Sequence, residues 1–225
     1  MLWIQAEAPA APISPWIVLT LVLIVAASSS VFWILVRRWT THRYWHLLAA
    51  WAGARRFRLT RGDGERPAPL EQWASVNPRV ELLLAGSGTH IMEVLTDAIP
   101  GLPRDQVARW RVLVREIEHA WPPTALRPVM HAASVVDLFS LSSYPSLAAT
   151  DRFVVFGSDA RAARVLSSSM ARALLPPDVA LVISGQHLLL DFSSRAFDPI
   201  EFDRMLALAE QLAAHLPAVT VSSGV

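Results

Sequence analysis

No ionisable side chain interrupts the chain between Ile13 and Val36, and Arg37 and Arg38 close the run. At about 1.5 Å of rise per residue, a helix over this stretch is long enough to cross the ~30 Å hydrocarbon layer of a bilayer. Lipid offers no water to peptide N–H and C=O groups, so such a segment must satisfy them internally, and the run predicts a transmembrane helix over 13–36. Ser28, Ser29 and Ser30 lie inside it. They are tolerated because a serine hydroxyl can bond back to a carbonyl one turn earlier; their alternative use is a face for helix packing.

Residues 1–12 carry no Arg, whereas Arg37, Arg38, Arg43, Arg55 and Arg56 follow the run. Flanking basic residues are held on the cytoplasmic side, so the short amino-terminal segment is expected outside and everything after the span in the cytosol. A cleaved secretory signal has a basic amino end and a shorter apolar core, and this chain has neither, which predicts a retained anchor in a bacterial inner membrane. Aromatic rings that prefer the headgroup layer flank the span: Trp3 and Trp16 before it, then Trp33, Trp39, Tyr44 and Trp45. Trp16, Trp33, Arg37, Arg38, Trp39, Arg43, Tyr44 and Trp45 together form the expected membrane interface.

The chain of 225 residues leaves, beyond the anchor, one domain of roughly 170, enough to bury a core without crosslinks. Cysteine is absent, which removes disulfides, thiolate nucleophiles and cysteine-held metal centres. All 20 basic residues are Arg. Heavy use of Ala, Leu, Val and Pro points to a GC-rich genome as the cause, but the consequence is chemical: Schiff-base chemistry and the lysines of phosphate-binding loops and kinases are excluded. A formal net charge of +1 argues against a nucleic-acid partner.

Residues 37–60 mix Tyr44, Trp45, Leu47, Leu48 and Trp51 with Arg and His, the pattern of a juxtamembrane amphipathic helix. A Gly-, Pro- and charge-rich linker is expected over 61–78, a cytosolic α+β domain over 79–217, and a short tail over 218–225. The Arg61-Gly-Asp63 triplet in the linker reads as a solvated turn. Val80–Ala85 suggests a strand, Gly86-Ser-Gly88 a turn, and Ile91–Ala98 a short helix; Pro100-Gly-Leu-Pro103 then breaks the chain. Trp110–Ile117 fits either an amphipathic helix or a half-buried strand, ended in both cases by Pro122-Pro123. Further on, Arg152–Phe156 predicts a strand, Ala160–Leu175 a helix, and Val179–Ile183 with His187–Phe192 a hairpin about Ser184-Gly185. Asp198-Pro-Ile-Glu201 supplies an N-cap, a first-turn proline and a capping-box carboxylate for a helix with Met205, Leu208, Leu212 and Leu216 on one face.

Candidate chemistry is sparse. Gly86-Ser-Gly88 resembles the start of a dinucleotide fingerprint, but Ile91 stands where the third glycine belongs. His42 and His46 have the spacing of a metal-ligand pair, without further ligands nearby, and fit interfacial anchoring better. The remaining histidines are scattered, no Gly-x-Ser-x-Gly elbow occurs, and Glu116 and Glu118 read as a solvated pair. No catalytic residue, cofactor site or metal site is assigned.

Trp110-Arg-Val-Leu-Val114, Leu126-Arg-Pro128, Asp151-Arg-Phe-Val-Val-Phe-Gly157, the segment around Ser184-Gly185 and the closing helix from Pro199 resemble uncharacterised bacterial single-span membrane proteins with a small α+β domain of unknown function. The resemblance implies a strand at Trp110 and a mostly antiparallel sheet, and it brings no catalytic residue. The function expected is a membrane-anchored interaction or scaffolding domain, with the bilayer and other membrane proteins as partners. The alternatives are a tethered sensor of a small ligand or lipid, and an unmarked hydrolase.

Overall fold

A computed structural model describes residues 15–62, 78–97, 107–131, 133–139, 141, 144, 146–168 and 170–216. The expectations for 1–12, for Pro100–Pro103, for most of the 61–78 linker and for the 218–225 tail lie outside the described residues. The chain divides into two compact units, Met1–Leu47 and Leu48–Val225.

The first unit is built on helix α1, Pro15–Ala54, whose last two turns belong to the second. Among the described residues this is the one helix long and apolar enough to cross a membrane, and its apolar stretch is exposed throughout. Its 40 residues measure about 60 Å at helical rise, roughly twice the thickness of a hydrocarbon core. Hydroxyl groups along it bond back one turn, as Thr20 Oγ1 does to the Trp16 carbonyl (2.8 Å) and Ser30 Oγ to that of Ala26 (2.9 Å). That removes most of the cost of carrying them in an apolar stretch.

The second unit is α+β. Strands β1 (Arg58–Arg61), β2 (Arg79–Gly86), β3 (Thr89–Thr96), β4 (Ala108–Pro128), β5 (Ser146–Ala149), β6 (Phe153–Gly157) and β7 (Ala180–Asp191) form one sheet in the order β1-β2-β3-β4-β6-β5, with β7 also on β4. Every pairing is antiparallel. Helices α2 (Val135–Leu138), α3 (Ala160–Ser168), α4 (Met170–Leu174) and α5 (Pro199–His215) complete it.

The 21-residue β4 is the spine. Its first half pairs β3 from Ala108 to Arg115, its second half pairs β6 from Thr124 to Pro128, and β7 runs beside both halves. Trp110, Val112 and Val114 pack with Met92, Val94 and Leu189 beneath Val135, Val136 and Leu138 of α2. Leu113 alternates to the other side of the strand and is equally buried, as are Leu188, Leu190 and the α5 residues Phe202, Met205, Leu208 and Leu212. Burial on both faces explains the near-continuous apolar runs of β4 and β7.

Four local expectations fail, each for a visible reason. Ile91–Ala98 is not a helix: Gly88, at φ 64°, closes a two-residue turn that pairs Gly86 with Thr89, and the chain returns as β3. Pro122-Pro123 does not end β4, because the prolines sit where the β4–β7 register breaks between Trp121 and Thr124 and no ladder N–H is required. The Pro123 carbonyl instead accepts from Ser158 N at 3.0 Å. Ser184-Gly185 is not a hairpin turn but a kink within the single strand β7, with Gly185 at φ 58° opposite Trp121. The α5 N-terminus carries its Asp198 cap and first-turn proline, but the Glu201 carboxylate is drawn to Arg195 and Arg204.

The expected 37–60 helix also takes a different form. The helix continues unbroken from the apolar stretch to Ala54, Arg56 reverses the chain at φ 60°, and Arg58 begins β1.

A Cβ placed on Gly185 meets nothing within 4 Å, so its substitution tests backbone conformation alone. Gly185→Ala is expected to lower stability by about 1 kcal/mol, read as a reduced midpoint in urea unfolding of the detergent-solubilised protein.

Candidate functional site: the helix interface and the polar groups of the domain

The residues expected at a membrane interface all lie on α1. Trp16, Trp33, Arg37, Arg38, Trp39 and Arg43 are exposed, and Tyr44 and Trp45 are half-buried. Trp16 and Trp39 are 23 residues apart, about 34 Å along a helix, a separation close to the ~30 Å thickness of a hydrocarbon layer. The Arg43 guanidinium lies over the Trp39 ring, 5.6 Å from its centroid, joining a cation and an aromatic as headgroup-level side chains commonly do. His42 and His46 bring their rings to 4.4 Å, but among the described residues no group of three or more His, Asp or Glu is placed to hold a metal.

Within the second unit, the last turns of α1 are fastened to α5. Leu48 and Ala52 are buried. The Trp51 ring stacks on Phe57 and meets the edge of Phe202, while its Nε1 donates to Asp203 Oδ1 at 2.9 Å. Arg55 reaches the same carboxylate at 3.0 Å. Sequence reasoning read Trp51 as one greasy residue of a juxtamembrane helix; its hydrogen-bond partner stands 152 positions away.

Two polar networks hold the domain. Asp191, at the end of β7, is buried and accepts from Val135 N (3.0 Å), Ser193 N (3.1 Å) and Ser193 Oγ (2.5 Å). Burial pushes its carboxyl above the usual range, and these donors, with His131, oppose that push. Arg195 joins Asp178 through Nε (2.7 Å) and Nη2 (2.5 Å), and Glu201 through Nη1 (2.7 Å). Arg111 Nη1 also donates to the Arg195 carbonyl. The Arg195 hydrogen bonds hold the Asp178 carboxyl below its ordinary range.

A third group gathers on three strands. Glu116 faces His187 across the β4–β7 ladder, and its backbone N–H donates to Gly88 O at 2.8 Å. Half-burial lowers the His90 imidazole below its ordinary value; Glu116 opposes the shift and His187 reinforces it. Glu116 and Glu118 are both exposed, as expected for alternate positions on a strand. Gly86-Ser-Gly88 is a hairpin turn with no helix behind it, so the geometry that would present amide groups to a pyrophosphate is missing.

No family model matches the chain, and no curated protein matches it. Among solved structures it is similar to the crystal structure of the mycobacterial trehalose monomycolate transport factor A, TtfA. The TM-score is 0.54 at 13% identity, over 78% of this chain and 97% of that one. At that identity the likeness is one of fold.

Asp191→Ala strips an acceptor from the buried Val135 N–H and from two part-buried donors of Ser193, and is expected to cost about 3 kcal/mol of stability, measured by denaturant unfolding. The Asp178 contribution has a definite sign with pH. Because its folded pKa is depressed, it stabilises fully above the ordinary value of 3.8 and fades as pH falls through the lower folded value. Asp178→Asn is therefore expected to flatten the acid limb of a stability–pH curve below about pH 4.

Proposed function

We propose that this chain is a single-span inner-membrane protein, amino terminus outside, whose cytosolic α+β domain binds and organises other proteins of the membrane. The observation that carries the reading is α1. A helix of 40 residues exceeds what a bilayer needs, its apolar part is exposed, its interface residues are spaced like the bilayer boundaries, and its last turns are sewn into the domain core. A domain tethered to a bilayer by its own chain meets other membrane proteins as its most economical partners.

The domain's polar groups support interaction over catalysis. Asp191, Arg195, Asp178 and Glu201 are spent on one another or on backbone donors, which is how side chains hold a fold. The fold likeness to a transport factor, over 97% of that chain, supports a narrower version, in which the interactions serve transport at the membrane. The tethered-sensor alternative draws on a small cavity in the same domain, between β4 at Ile117–Trp121 and the end of α5 at Ala213, Ala214 and Leu216.

Site-specific photocrosslinking from exposed positions of α5 and β5 in native membranes, followed by mass spectrometry, tests the reading. A discrete integral-membrane partner is expected. Recovery of the full chain in the soluble fraction after ultracentrifugation contradicts the anchor, and protease digestion of the domain from the periplasmic side contradicts its direction.

A further inference from the structure

Charge is sorted along this chain. Between Ile13 and Gly62 there are seven Arg and no Asp or Glu, whereas the residues after Gly62 carry 13 Arg against 18 Asp and Glu. The formal net charge of +1 thus conceals a strongly basic early part and an acidic remainder. Three of the seven, Arg37, Arg38 and Arg43, lie on the part of α1 that belongs to the first unit, and all three are exposed. Counting from the amino end, the first arginine paired with a carboxylate among the described residues is Arg55, with Asp203.

Arg37 and Arg38 follow directly on Val36, the last residue of the apolar run. In a spanning helix that is the level where lipid tails give way to headgroup phosphates. Arg43 stands about 8 Å further along the axis, but helical side chains lean toward the amino end, and its guanidinium lies over the Trp39 ring, 5.6 Å from the centroid. Its charge therefore comes back toward the depth of the other two. At roughly 100° per residue the three project about 100°, 140° and 120° apart, so the cations ring the helix instead of lining one face.

That distribution decides the occupant. A protein partner or a nucleic-acid duplex covers one side of a helix, and a site for either would gather its arginines into a stripe. Headgroups surround a spanning helix on every side at one depth, which is where these cations are spread. Guanidinium is permanently charged and takes phosphate oxygens two at a time; a zwitterionic headgroup carries its own cation against that phosphate, and an anionic one does not. Trp33 and Val36 line a groove with Arg37 and Thr40 and give apolar contact to the start of an acyl chain. The Thr40 hydroxyl already donates to the Val36 and Arg37 carbonyls, at 2.9 and 3.0 Å, which leaves phosphate to the guanidinium groups.

We infer that Arg37, Arg38 and Arg43 form a belt that gathers anionic phospholipids around α1 from a mixed bilayer, by their phosphodiester headgroups. The belt rests on the reading of α1 as a membrane span and adds the class of lipid that the span selects.

The test uses the full chain reconstituted in phosphatidylcholine liposomes with a trace of spin-labelled phosphatidylglycerol or spin-labelled phosphatidylcholine. Electron paramagnetic resonance reads how much of each label is slowed at the protein, and flotation on a density gradient reads insertion. The native chain is expected to float and to hold phosphatidylglycerol about fivefold over phosphatidylcholine at low salt, the preference that one arginine near an anionic headgroup confers, and added salt is expected to reduce it. The triple variant Arg37→Gln, Arg38→Gln, Arg43→Gln is expected to float as before, because the apolar run is intact, with the ratio reduced to about one. A charge-matched variant on exposed positions of α3 and α4, Arg161→Gln, Arg164→Gln, Arg172→Gln, is expected to keep the native ratio. A native chain that floats with a ratio near one overturns the belt and leaves the span standing. Preference that survives the triple variant, or that is lost equally in the charge-matched one, also overturns it. A native chain that does not float with the liposomes overturns the span, and the belt with it.

Discussion

β4 and its ladder with β7 hold the domain together, because the two halves of the sheet meet on β4 and β7 runs along both. β4 gives one half to β3 and the other to β6, and β7 lies along both. The apolar side chains of these two strands fill the space under α2 and under α5, so the same ladder sets the position of both helices. The network at Asp191 ties the end of β7 to the first turn of α2, and the network at Arg195 ties the following loop to α5. The networks sit at the last ladder residue and just past it, where backbone pairing stops and side chains must fix the chain's exit.

Sequence reasoning succeeded where the signal was local and failed where partners were distant. The long apolar helix, the α+β class, the strand at Phe153 and the Asp198-Pro start of α5 follow from composition, β-branching and capping chemistry, all contained within a few residues. β3 was misjudged because Thr89 is as good an opening for a helix as for a strand, and the choice is made by β2 and β4 on either side. Ser184-Gly185 carries a hairpin signature that suggests two strands, while pairing with β4 on both sides of the irregularity keeps β7 one strand. Glu201 has the capping-box spacing, yet an Arg195 guanidinium at 2.7 Å outcompetes a backbone N–H for a carboxylate.

The candidate sites divide along the same line. The long apolar helix that carries the expected interface residues was legible because length and composition, which sequence records directly, set it. Trp51 with Asp203, Asp191 with Val135, and the cavity at Trp121 depend on elements that meet only in the fold. The prolines at 122 and 123 were the nearest thing to a signal for the cavity: they mark the place where β4 does not keep ladder geometry, beside an indole N–H that finds no acceptor among the described residues.

The sheet's terminal strand β1 is short, and both of its ends, Arg58 and Arg61, carry exposed guanidinium groups. On a surface where molecules diffuse in two dimensions, copies of one chain collide far more often than in bulk solution, and an uncharged edge would invite them to zip together. Like charges at both ends of this edge make the pairing of β1 with its own copy repulsive, so this edge is guarded by charge.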